Sequence, residues 1–129
     1  MAIHLGNKGF TCVMKPWGEE VIWTNTDKYI GKLLIINEGE ELSLQYHEQK
    51  TETMLILDGK VEVEFSPKDN PSTAKHILGK GDTIHIEPGT IHRLRAVETD
   101  EGFNDVLIVE ISTNFPKDII RLEDKYGRK

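Results

Sequence analysis

Gly39-Glu-Glu-Leu-Ser-Leu-Gln45-Tyr-His47-Glu-Gln-Lys50-Thr-Glu52-Thr-Met-Leu-Ile-Leu-Asp-Gly59 is the stretch that decides the reading of this chain. It is answered downstream by Gly81-Asp-Thr-Ile-His-Ile-Glu-Pro88-Gly89-Thr-Ile-His92-Arg93. Alternate side chains of an extended strand share a face, so Gln45 and His47 point the same way. Glu52 and His92 can join them from neighbouring strands, which brings two imidazoles, a carboxylate and an amide oxygen to one place.

Outward from that stretch, short apolar runs recur: Val21–Trp23, Lys32–Ile36, Leu42–Leu44, Met54–Leu57, Val61–Phe65, Thr83–Ile86, His92–Leu94 and Val106–Ile111. Each has strand length, several are β-branched, and Gly, Asp, Asn or Pro separates most of them. The spacing predicts an all-β sandwich or barrel. Asp58-Gly59 between two such runs predicts a hairpin, and Ser66–Ala74 and Glu98–Asn104 read as longer loops. Only the end looks helical, with Asp118 capping a segment from Ile119 that stops at Gly127.

Leu33–Ile36, Met54–Leu57 and Val106–Val109 are apolar on both faces, whereas Val61–Phe65 alternates with Glu62 and Glu64. A strand with one face in water should alternate. The outer faces are therefore expected to be covered, by the N-terminal strands or by a second copy in a homodimer.

The chain has 129 residues, which predicts one domain over 1–129. A net charge of -6 without a Lys/Arg cluster argues against nucleic acid. No segment approaches the ~20 apolar residues of a membrane-spanning helix, and the first residues lack a signal-peptide run. A lone cysteine, Cys12, leaves no internal disulfide and fits a reducing compartment, so the cytoplasm is expected.

Four ligands of the Gln45, His47, Glu52 and His92 kind suit zinc, and two imidazoles with a carboxylate also suit iron, manganese or nickel. Open coordination positions would let a substrate oxygen bind and be polarised. Among other residues, Arg93 faces away from His92 by alternation, and an interstrand ion pair or a rim position toward phosphate are both open to it. Trp17 reads as a strand anchor or a stacking surface for a sugar ring. His85 reads as structural or exposed, and His4 and His76 need no function.

The spacing resembles the cupin family. Gly39, Gln45, His47, Glu52 and Gly59 fill its first motif, and Gly81, Gly89 and His92, with Pro88 displaced, fill its second. The resemblance implies a jelly-roll-like double-stranded β-barrel with a metal inside. Gln45 replaces the first motif's leading histidine, as in the zinc-dependent phosphomannose isomerases. Lys15-Pro-Trp-Gly18, Leu42–His47, Pro88–Leu94 and Asp118–Arg128 look like the C-terminal cupin domain of the bifunctional mannose-1-phosphate guanylyltransferase/mannose-6-phosphate isomerases.

That likeness, over about residues 15 to 128, implies interconversion of mannose 6-phosphate and fructose 6-phosphate through an enediolate. It implies a divalent metal on Gln45, His47, Glu52 and His92, with zinc first and iron, manganese or nickel as alternatives. Lys50 is expected as phosphate anchor or electrostatic partner, and Glu48 or a metal-bound water as general base. Arg93, Lys50, Trp17 and Arg121 are expected on the substrate, a small sugar phosphate. Where those isomerases carry His-His-Arg after the metal histidine, this chain has Glu48-Gln49-Lys50, and an ammonium lacks the arginine fork. A non-catalytic cupin that binds a sugar or nucleotide sugar, and an iron-dependent oxygenase, remain the alternatives.

Overall fold

The computed structural model describes residue 3 and residues 10–67, 73–98 and 105–129. His4 and the middles of the two expected long loops, 68–72 and 99–104, lie outside the described residues. The described residues form eleven strands and no helix. They are β1 (Thr11–Lys15), β2 (Gly18–Asn25), β3 (Tyr29–Ile36), β4 (Leu44–Tyr46), β5 (Glu52–Asp58), β6 (Val61–Pro67), β7 (Ala74–Leu78), β8 (Thr83–Ile86), β9 (Thr90–Ala96), β10 (Val106–Thr113) and β11 (Ile120–Glu123). One sheet runs β1-β2-β3-β10-β5-β8 and the other β11-β4-β9-β6-β7, and every pairing is antiparallel.

The all-β expectation holds. The core lies between the sheets, where Leu34, Ile36, Met54, Ile56, Val106 and Ile108 of one meet Val61, Val63, Leu94 and Ala96 of the other, with Trp17 beside them. These are the same-parity residues of their strands, as burial of one face per sheet requires.

The expected C-terminal helix is not there. Ile120–Glu123 instead forms β11 and pairs with β4, with Arg121 opposite Gln45. A helical propensity in so short a segment is weak, and the open edge of β4 offers backbone partners that an isolated turn lacks. The hairpin expected at Asp58-Gly59 is also corrected. The chain does turn there, with Gly59 at φ 87°, but β5 and β6 belong to different sheets. A turn signal specifies a reversal and not which edge the returning strand joins.

Lys15-Pro-Trp-Gly18 makes the tight β1–β2 connection, with Lys15 paired to Gly18. Gly18 has φ 152°, and a Cβ there would lie 1.9 Å from the Ile35 carbonyl oxygen, so only glycine fits. β1 and β2 extend the first sheet and do not cover it. Its outer face keeps Leu33, Ile35, Leu107 and Val109 half-buried and Leu55, Leu57, Ile111 and Trp23 exposed.

Candidate metal centre

Three strands and one loop deliver the site. Glu52 opens β5 and points between the sheets on the same parity as Met54 and Ile56. Gln45 of β4 lies directly opposite His92 of β9, so the two side chains share the inner face. His47 follows β4, and its carbonyl accepts a hydrogen bond from the Gly89 amide at 2.7 Å, which ties the Pro88-Gly89 turn to the first motif. That turn aims β9 so that His92 enters the interior.

His47, Glu52 and His92 are buried, and one ligand atom from each lies within 4.8 Å of the others. His47 Nε2 is 3.3 Å from Glu52 Oε1, and His92 Nε2 is 3.6 Å from Glu52 Oε2. Carbonyl oxygens settle the imidazole tautomers, because a carbonyl only accepts. His47 Nδ1 donates to the Asp118 carbonyl, and His92 Nδ1 donates to the Thr90 carbonyl at 2.9 Å. With Nδ1 as the donor, the ligating tautomer of each ring turns its Nε2 lone pair inward, a backbone-fixed orientation characteristic of metal-ligating histidines.

Among the described residues, His47 Nε2, His92 Nε2 and Glu52 Oε2 are buried and have no hydrogen-bond partner. Orphaned buried polar atoms are rare and costly, and here three of them converge. A divalent cation satisfies all three at once, so the residues present fit a metal. Gln45 Oε1 accepts a 2.6 Å hydrogen bond from Ser43 Oγ, and its second lone pair remains for coordination.

The electrostatics act on Glu52 in opposite directions. Burial works against its charge, but His47, Lys50 and His92 together outweigh burial and hold its pKa well below the usual carboxylate range. Lys50 Nζ sits 2.8 Å from Glu52 Oε1. Burial opposes the Lys50 ammonium too, yet Glu52, Glu110 and Glu20 raise its pKa above the ordinary value. His92 moves the other way: burial, the largest effect, favours the neutral ring that a metal needs.

His47 and Glu52 open into a cavity of about 150 Å³ at the edge between β2–β3 and β4–β11, whereas His92 lines a separate apolar cavity beside β6–β8. Gln45, His47, Lys50, Glu52, Trp17 and Arg121 all line the first cavity. Arg93 does not: it points to the outer side of its sheet and pairs with Glu123 at 3.3 Å and Glu41 at 3.8 Å. Glu48 is exposed and is not part of the cavity wall. His85 is exposed and hydrogen-bonds Thr53 at 2.9 Å, and His76 stacks on Phe65.

Several residues of the site escaped the sequence reading. Asp118, expected as a helix cap, instead accepts the amides of Glu48, Gln49 and Lys50 through its carboxylate and so holds the loop after His47. Glu20 joins Lys32 at 2.8 Å and Lys15 at 3.9 Å on the cavity wall. Glu110 is buried beside Glu52, and burial followed by the Glu52 charge pushes its carboxyl up to about 8. The available signal for Glu110 was its position: a lone acid sharing the inward parity of Val106 and Ile108.

Known proteins share this arrangement of strands. The family described as "Cupin domain" matches residues 32–103, which hold all four candidate ligands. The chain is 26% identical over 119 residues to "Mannose-1-phosphate guanylyltransferase ManC" of Salmonella typhimurium, covering 90% of this chain and 23% of that protein. It is 29% identical over 116 residues to a mannose-1-phosphate guanylyltransferase of Sinorhizobium fredii, covering 88% of this chain and 21% of that protein. It thus spans less than a quarter of the length of either relative. Among solved structures, the capsular polysaccharide assembling protein CapF from Staphylococcus aureus superposes with a TM-score of 0.78 at 16% identity, over 92% of this chain and 35% of CapF. Oxalate decarboxylase from Bacillus subtilis gives 0.73 at 13% identity, over 88% of this chain and 30% of that one. Two antiparallel sheets, the two glycine-bounded motifs and the interior His–Glu–His cluster agree with the family match: the chain belongs to the cupin family.

Proposed function

We propose that this cupin is a zinc-dependent sugar-phosphate isomerase that interconverts mannose 6-phosphate and fructose 6-phosphate through an enediolate. The observation that carries the reading is the convergence of three orphaned ligand atoms on His47, Glu52 and His92, with His47 and Glu52 in the wall of a cavity that also presents Lys15, Lys32, Arg121 and Arg128. A bound divalent metal would supply Lewis-acid stabilisation of the negative charge that develops on the carbonyl and hydroxyl oxygens of such a substrate.

The chain's own residues have separable tasks. Lys50 keeps Glu52 ionised, and the Asp118 and Thr90 carbonyls hold the two imidazoles in the ligating tautomer. Trp17, buried against the core, forms part of the cavity wall. Of the cavity's carboxyl groups, Asp118 is occupied by backbone amides, Glu52 belongs to the ligand cluster, and Glu110 is buried and protonated at neutral pH. Glu20, held by Lys32 at 2.8 Å, is the carboxylate left to move the proton between C1 and C2. The same reading keeps the protein in the cytoplasm, with Cys12 exposed and free, and pairs two copies through the apolar outer face of β3, β10 and β5.

A coupled assay of mannose 6-phosphate with zinc-loaded protein tests the reading. No turnover above a Gln45→Ala/His47→Ala control refutes it. One observation favours a binding role instead: Lys50 is engaged with Glu52, so the position lacks a free arginine-like fork. Stabilisation of the protein by a sugar phosphate without turnover would select that role, since ligand at a hundred times its Kd adds about 2.7 kcal/mol.

A further inference from the structure

The cavity's cations are not equivalent. Lys32 pairs with Glu20, Lys50 pairs with Glu52, and Lys15 lies within reach of Glu20. Arg128 is clamped by both oxygens of Asp124, with Nε to Oδ2 at 3.0 Å and Nη2 to Oδ1 at 2.9 Å. Arg121 differs from all of them. Among the described residues no Asp or Glu side chain forms an ion pair with it, although the Asp124 charge favours its cation from further away. Its Nη1 donates to a main-chain oxygen of Lys129 at 2.8 Å, and its Nε is buried with no partner. Burial and the neighbouring Arg128 charge disfavour its cation.

The strand register fixes where this unsatisfied guanidinium sits. Arg121 is opposite Gln45, and Gln45 is opposite His92, so the three form one inward row across β11, β4 and β9. Adjacent strands are about 4.8 Å apart, which puts Arg121 roughly 10 Å from His92 along that row. Gly127, at φ 74°, turns the chain back so that Arg128 returns to the same wall. Two guanidiniums thus face one cavity, and the Arg121 position lies at about the distance that separates a terminal substituent of a six-carbon chain from its first carbons.

We infer that Arg121, with the Asp124-held Arg128 beside it, forms the subsite for the phosphate group of the substrate, at the β11 end of the cavity. The inference rests on the sugar-phosphate reading above and assigns the anchor to these arginines, with Lys50 left as partner of Glu52. A phosphate monoester supplies acceptors for the orphaned Nε and displaces the Lys129 main-chain oxygen from Nη1. The planar arginine fork matches its oxygens, as an ammonium does not.

The test uses the full-length, zinc-loaded protein, with KM and kcat for mannose 6-phosphate and a calorimetric Kd for inorganic phosphate. Arg121→Gln is expected to raise both KM and the phosphate Kd by about ten- to a hundredfold, the worth of charge-assisted hydrogen bonds. Its kcat and zinc content should stay within about threefold. Arg121→Lys should fall between, and Lys75→Gln, on an exposed strand, should change neither quantity. Unchanged KM and phosphate Kd in Arg121→Gln overturn the inference, as does a fall in kcat alone. Acetate competing as strongly as phosphate overturns the phosphate assignment. If the wild type does not turn over mannose 6-phosphate, the isomerase reading fails, while the two phosphate Kd values still decide the subsite. If Arg121→Gln does not fold by circular dichroism, Arg121→Lys and Arg128→Gln carry the same comparison.

Discussion

Replacing Glu110 by glutamine tests the electrostatic account of the interior. Glu110 is buried between Lys32, its register partner on β3, and the Glu52 cluster. Burial first, then the Glu52 charge, lifts its pKa from 4.5 to about 8, against the pull of Lys50 and Lys32. A carboxyl whose folded pKa is raised binds a proton in the folded state that the unfolded state releases. Stability therefore falls as pH rises from about 4.5 to about 8 and levels off above that. Each pH unit across that interval carries up to about 1.4 kcal/mol, so the whole interval bounds the effect at about 5 kcal/mol. Glutamine has the size of the protonated acid and does not titrate. Urea unfolding of the metal-free protein at pH 5, 6, 7 and 8 should show the wild type losing stability relative to Glu110→Gln at each step. Between pH 5 and pH 8 the difference should shift in the variant's favour by at least about 2 kcal/mol, a floor set below half of that bound. A constant difference across that range, or a wild type that gains on the variant as pH rises, would refute a protonated Glu110 at neutral pH.

Replacing His92 by alanine should abolish stoichiometric metal binding, measured by elemental analysis after dialysis, and remove the rise in melting temperature that zinc gives the wild type. Gln45→His should keep the metal, because it supplies a nitrogen on the same inward position, but should alter kcat or sugar preference; loss of metal would mean that the Ser43–Gln45 hydrogen bond is needed to place the ligand. Asp118→Ala removes the acceptor of three backbone amides, so it should cost about 1 kcal/mol at neutral pH, as loss of a helix-capping carboxylate does. Those amide bonds hold the Asp118 pKa below its ordinary value in spite of burial, so the wild type's advantage should fade as pH drops below about 4 in acid titrations followed by circular dichroism.

Local patterning already determined much of this protein. Alternation along β4 and β9 put Gln45 and His92 on inward positions, and the Pro88-Gly89 turn announced the change of direction between β8 and β9. Short β-branched runs were sufficient for an all-β reading, because a strand's two faces are written every second residue. The candidate metal cluster was legible for the same reason: His47, Glu52 and His92 at fixed offsets need only parity and two glycine-bounded turns to converge. What lay beyond reach was partner choice. Nothing local tells Ile120–Glu123 that the edge of β4 is free, so a four-residue strand looked like the start of a helix. Nothing near Asp58-Gly59 says that β6 joins the opposite sheet. The same holds for electrostatics: Glu110, Glu20 and Asp118 acquire their roles from charges and amides between 12 and 70 residues away. Side-chain parity is a property of consecutive residues, whereas desolvation and ion pairing depend on which distant strands meet, and only the assembled sandwich decides that.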